Sequence, residues 1–253
     1  MTAPNHLIVV CGHAIWLGGP QKGHDEAEWL IESYKKGETP IFIEHIRAGV
    51  RTLSADNRSV LVFSGGPTRR ETRLSEAESY KSLAQANSYF GAFPDHVLDV
   101  VSTSRILVED KALDSFYNIL YSVVLFWRTH SVWPEKLTII SHGFKRRRLV
   151  DLHCAAIGFP LERVAFVGTD PPVALATGEA ELVMASILKA EEEWDDDPRG
   201  VGESLASKRR NRNVWGVDQK LFVEHWERQR SGLRTEFLDD GTETLMWTAP
   251  RPW

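Results

Sequence analysis

Apolar and polar positions along the chain fall into two alternating rhythms. Short β-branched runs, HLIVVCG (6–12), SVLVFSGG (59–66), RILVED (105–110), KLTIISHG (136–143) and RVAFVGTD (163–170), have the length and composition of buried strands. Between them, apolar residues recur at helical spacing over 24–37, 40–55, 74–91, 112–131, 144–159 and 178–194. Ser75 is the expected N-cap of the third segment, and Lys-Lys-Gly closes the first. Strands alternating with helices of this length predict βαβ units: a Rossmann-like, three-layer αβα fold whose mostly parallel sheet has about five strands. After Trp194 the pattern breaks. Residues 195–216 are polar, charged and long for a structureless connection, so they read as disordered or as a lid. A helix over 217–232 and an extended tail follow. The expected organisation is a Rossmann-like domain over 1–194 with a C-terminal extension over 195–253 packed on it.

The 253-residue chain is 42% hydrophobic and 26% charged, as ordinary globular proteins are. No apolar run approaches the ~20 residues needed to span a bilayer, and the first residues lack a basic region, so neither a membrane partner nor a signal peptide is expected. Cys11 and Cys154 make no disulfide framework, which points to a reducing, cytoplasmic setting. A net charge of −5 argues against nucleic acid as a partner. Against that acidic background the basic residues cluster, at Arg69, Arg70 and Arg73, at Lys145 to Arg148, and over 208–212.

Ligands of open parallel sheets bind beyond the carboxyl ends of the strands. The residues there are Gly12 and His13; Ser64, Gly65 and Gly66, leading to Arg69 and Arg70; Glu109 and Asp110; Ser141 and His142, leading to Lys145, Arg146 and Arg147; and Gly168, Thr169 and Asp170. Gly65 and Gly66 before a helix offer close approach, exposed N–H groups and a positive dipole end, which suits a phosphate or carboxylate. Arg146 or Arg147 is the expected anion ligand, since a planar guanidinium pairs with two oxygens at once. Arg147, three residues after Phe144, is expected to turn inward while Lys145 and Arg148 face water. Glu109, as a general base or a ligand of ribose hydroxyls, and His142 are the candidate acid/base residues, and Ser115 and Asn118 share a helix face toward the ligand. Ser64, His142 and Asp170 can be drawn as a hydrolase triad, but no G-x-S-x-G elbow accompanies them. His13, His24, His142 and His153 have no metal spacing, so no metal is expected. Walker A and G-x-G-x-x-G loops are both missing from the sequence.

Taken in order, VVCGHAIW, FSGGPTRRETRLSEAESY, the Glu-x-x-Ala-x-Asp-Ser-x-x-Asn string from Glu109 to Asn118, IISHGFKRRR, GTDPP (168–172) and LASKRRNRN (205–213) resemble the YdcF-like domain family of unknown function. SanA and ElyC proteins of bacteria also belong to it, and the resemblance is strongest to its cytosolic fungal branch. It implies a Rossmann-like fold with a pocket at the strand ends. It places the family's SGG and SEA elements on Ser64, Gly65, Gly66, Ser75 and Glu76, its acidic and Asn helix on Glu109, Ser115 and Asn118, and its arginine on Arg147. One bacterial branch is reported to bind S-adenosylmethionine, which the resemblance makes a possible ligand here, although no methyltransferase-type glycine loop is present. The bacterial pattern has a histidine where this chain has Phe144. SanA and ElyC carry membrane segments, for which this sequence has no counterpart. The expectation is an enzyme, transferase or hydrolase, acting on a small anionic, phosphate-bearing or nucleotide-like substrate. The alternatives are a non-catalytic nucleotide- or S-adenosylmethionine-binding module and a protein-docking module using the basic clusters.

Overall fold

A computed structural model describes residues 3–170 and 179–253, apart from the side chains of 102 and 179–187. Pro171 and Pro172 of the GTDPP string and Gly178, at the expected start of a helix, lie outside the described residues. The chain runs β1 (His6–Cys11), β2 (Ile15–Trp16), β3 (Trp29–Leu30), α1 (Thr39–Ala55), β4 (Ser59–Ser64), α2 (Glu76–Ala86), α3 (Leu98–Ser104), β5 (Ile106–Glu109), α4 (Ser115–His130) and β6 (Lys136–Ser141). A π-helical segment (Arg147–Cys154) follows and runs into the short α5 (Ala155–Ile157). Then come β7 (Val164–Gly168), α6 (Glu179–Asp196), α7 (Glu203–Arg212), α8 (His225–Ser231), β8 (Thr235–Phe237) and β9 (Glu243–Leu245).

The five long apolar runs pair in parallel in the order β5-β4-β1-β6-β7. This is the α/β, Rossmann-like arrangement expected from the alternation of strands and helices. Both faces of β1 are covered, so the strand has no polar side. Leu7, Val9 and Cys11 pack with Phe116, Leu120 and Val124 of α4, while Ile8 and Val10 pack with Phe42 and Ile46 of α1 and with α2. The chain winds from β1 outward through β4 to β5, then returns to start the other half at β6. That reversal opens the crevice beyond the carboxyl ends of β1 and β6, where such folds bind ligands.

Four segments depart from the expected elements, each for a local reason. Residues 24–37 do not form a helix. Trp29 and Leu30 pair with Ile15 and Trp16 instead, and the buried Glu28 carboxylate accepts from Trp16 Nε1, Gln21 N and Gly23 N, which fixes a looped path. Residues 217–224 are not helical because the buried Glu243 carboxylate takes the backbone N–H groups of Leu221 and Phe222, leaving only α8. The 195–216 stretch contains α7 and is tied to the sheet domain by Arg209 and Trp215. Finally, residues 143–157 are not one α-helix: a 3₁₀ turn over Gly143–Lys145 precedes the π-helical segment, so side chains there do not sweep at a uniform α period.

Candidate functional site

At the crevice, β1 and β4 end side by side, and Gly12 N donates to Ser64 O at 2.7 Å. The glycine N–H groups do not face a ligand as expected. Gly65 N donates to Glu109 O and Gly66 N to Ala112 O, so both are spent inside the protein. The glycines serve close approach: a Cβ on Gly12 or Gly65 would lie 2.6 Å from Glu76 Oε2. Glu76, the first residue of α2, therefore lies directly over the strand ends. Thr68 Oγ1 donates to its Oε1 at 3.1 Å, and burial raises its pKa against the pull of Lys35. Ser75 is not available to a ligand. It caps α2 in a reciprocal box with Glu78, as its hydroxyl and the Glu78 carboxylate each take a backbone N–H.

The basic run after β6 is oriented opposite to expectation. Arg146 and Arg147 point to solvent, where they pair with Asp151 and Asp195. Lys145 and Arg148 turn inward, because the 3₁₀ turn and the π-helical segment re-phase the run. Burial, together with Arg148 and Lys35, holds Lys145 well below the usual lysine range. Arg148 is also lowered by burial, and its Nε is buried without a hydrogen-bond partner. Lys35, from the loop before α1, completes the group by donating to His13 O. Among the described residues, none of these three cations forms an ion pair with a carboxylate. Arg212 of α7 reaches the same region and donates to Leu113 O.

Glu109 is buried with both oxygens occupied. Ser64 Oγ donates to Oε2 at 2.6 Å, while Lys111 N and Ala112 N donate to Oε1. Burial pushes its pKa up to about 7. This carboxyl holds the turn after β5, with both oxygens engaged inside the protein. The same bond engages Ser64, which does not meet His142, and the drawn triad is not assembled. Ser115 pairs with His153 Nε2 at 2.8 Å, and Asn118 packs under β4 beside Ser64, so neither lines the crevice.

His13 and His142 do lie at the crevice, with ring centroids 4.5 Å apart, and α1 adds His45. Ser141 pairs with His13 Nε2 at 3.1 Å, and Lys145 Nζ is 3.3 Å from His13 Nδ1. Glu38 Oε2 stands 3.4 Å from His142 Nε2. Further out, a cavity of about 430 Å³ opens between the 68–71 loop and α7, lined by Arg69, Arg70, Lys208 and Arg212. Arg69 pairs with Glu32 there, and Arg70 is exposed. Sequence reasoning missed Lys35, Glu38 and His45. His45 alone carried a signal, as a histidine on the apolar stripe of Ile41, Phe42, Ile46 and Val50.

No protein-family model matches the chain, and no solved structure matches it. In sequence it is similar to the uncharacterized protein YOR238W of Saccharomyces cerevisiae, 24% identical over an alignment that covers 97% of this chain and 98% of the yeast protein.

Proposed function

We propose that the chain is an enzyme that binds a small phosphate-bearing or nucleotide-like anion at the crevice beyond β1 and β6, with Lys35, Lys145 and Arg148 as the anion ligands. The observation that carries this reading is the trio itself: three basic side chains withdrawn from water, none of which forms an ion pair with a carboxylate among the described residues. Burying unpaired charge is costly, and a bound anion removes that cost. Glu76 lies beside them over the Gly12 and Gly65 backbone, with the raised pKa that suits a general acid or base. The likeness of the SGG, SEA and arginine-run strings to the YdcF-like family agrees with a strand-end pocket, and S-adenosylmethionine joins the candidates on that ground.

Thermal melts of wild type and Arg148→Ala with inorganic phosphate, pyrophosphate, nucleotides and S-adenosylmethionine test this. A ligand at ~100 times its Kd stabilises by about 2.7 kcal/mol. A shift in wild type that vanishes in the variant is expected. Turnover of the stabilising ligand class is then measured in wild type and Glu76→Gln. Binding without turnover would leave a binding module, and no shift with any anion would end the reading.

A further inference from the structure

His13, His45 and His142 come from three separate elements and meet at one point. His13 follows β1, His142 follows β6, and His45 lies in α1. One ring nitrogen from each falls within 4.8 Å of the others, and all three residues are buried. Buried polar atoms normally have partners. Here both nitrogens of His142, and Nδ1 of His45, are buried without a hydrogen bond. Packing against Phe42 and Phe144 accounts for the His142 ring and Glu38 stands beside its Nε2, but Nδ1 of His142 and Nδ1 of His45 are left unexplained.

We propose that His13, His45 and His142 bind a divalent first-row transition cation of the zinc type, with the Glu38 carboxylate as fourth ligand. Three features of the surroundings fit. His45 Nε2–H donates to the Thr169 carbonyl at 3.1 Å, which fixes the tautomer and leaves Nδ1 as the lone-pair nitrogen. A backbone carbonyl behind a histidine is the usual outer support of such a ligand. Burial lowers the pKa of all three imidazoles, and the neutral ring is the form that ligates. The 3.4 Å between Glu38 Oε2 and His142 Nε2 matches the roughly 3.3 Å edge of a tetrahedron with bonds of about 2.0 Å. The wider nitrogen separations, up to 4.8 Å, must close on loading. His13 gives up one contact on loading, to Lys145 or Ser141, and either group can turn into the adjoining crevice. The site rests on the histidines and Glu38, whereas the anion reading rests on Lys35, Lys145 and Arg148, so one can fail without the other.

The test uses the full chain, stripped with chelator and titrated with cobalt(II). Wild type should take one ion per chain, with the intense visible bands of tetrahedral cobalt, bleached by one equivalent of zinc. His45→Gln and His142→Gln should lose the bands, while the exposed His24→Gln keeps them. Glu38→Gln should bind about tenfold or more weakly. Circular dichroism and cooperative melting establish that each variant is folded. X-ray absorption of zinc-loaded wild type, which needs no variant, should show three imidazoles. Lack of tetrahedral bands in wild type, bands that persist in both histidine variants, or an absorption fit with fewer than two imidazoles would overturn the proposal.

Discussion

Arg209 of α7 donates from Nη1 to Asp114 Oδ2 at 3.0 Å, with both side chains buried, and so joins the C-terminal extension to the first turn of α4. Asp114 is also the N-cap of that helix and accepts from Tyr117 N at 3.0 Å, while the Arg209 guanidinium lies over the Tyr117 ring. One carboxylate thus serves a helix start and a long-range ion pair. Arg209→Ala leaves Asp114 buried with an uncompensated charge. Urea unfolding should show a loss of about 3–5 kcal/mol, the usual cost of breaking a buried pair. A loss under 1 kcal/mol would mean that the extension is not anchored this way.

Arg147→Ala should do little. Its ion pair with Asp195 is exposed to solvent, and such pairs contribute little to stability. The variant should also keep any anion-induced melting shift that Arg148→Ala loses. The same assay on the two neighbours separates them, and loss of the shift in Arg147→Ala would contradict the orientation of the run.

The stability of the protein should carry a pH dependence from Glu109. Burial raises this carboxyl from 4.5 to about 7. Between those values the native chain holds a proton that the unfolded chain has released. This contribution is therefore present below pH 4.5, declines as pH rises and is gone above pH 7, a change of about 3 kcal/mol. Glu109→Gln removes it. Denaturant melts at a series of pH values should show a wild-type slope over this window that the variant lacks, and equal slopes would refute the assignment.

Gly12→Ala should be poorly tolerated. Its Cβ would come within 2.6 Å of the Glu76 Cβ, an atom fixed by α2, so the helix must move rather than a flexible side-chain tip. Overpacking of this kind costs about 1–3 kcal/mol, and it displaces the carboxylate proposed as acid/base. Chemical denaturation reports the first effect and turnover the second.

The sheet was legible because each strand is an apolar run too short and too β-branched for a helix, and each closes at small or polar residues. The capping of α2 was legible from Ser75 and its neighbouring acids. The 24–37 segment was misread because Trp29, Leu30 and Ile31 carry apolar spacing that suits a helix, whereas Glu28 and a two-residue strand pair decide the path. The orientation of the basic run was misread because a helical wheel assumes one period, and the 143–157 segment uses three. The histidine cluster has no local spacing at all, since 31 and 96 residues separate its members. Only the strand order, which seats β1 beside β6, brings His13 and His142 together.

The π-helical segment gives chain length the effect of a substitution. It accommodates an extra residue per turn, so deleting one residue within it, such as Asp151, would let the helix close at the ordinary period and rotate the basic run about its axis. A different arginine would then face the crevice, although every arginine is still present. In this chain a one-residue gap after β6 would therefore change which basic side chain faces the crevice, as a mutation in its lining would.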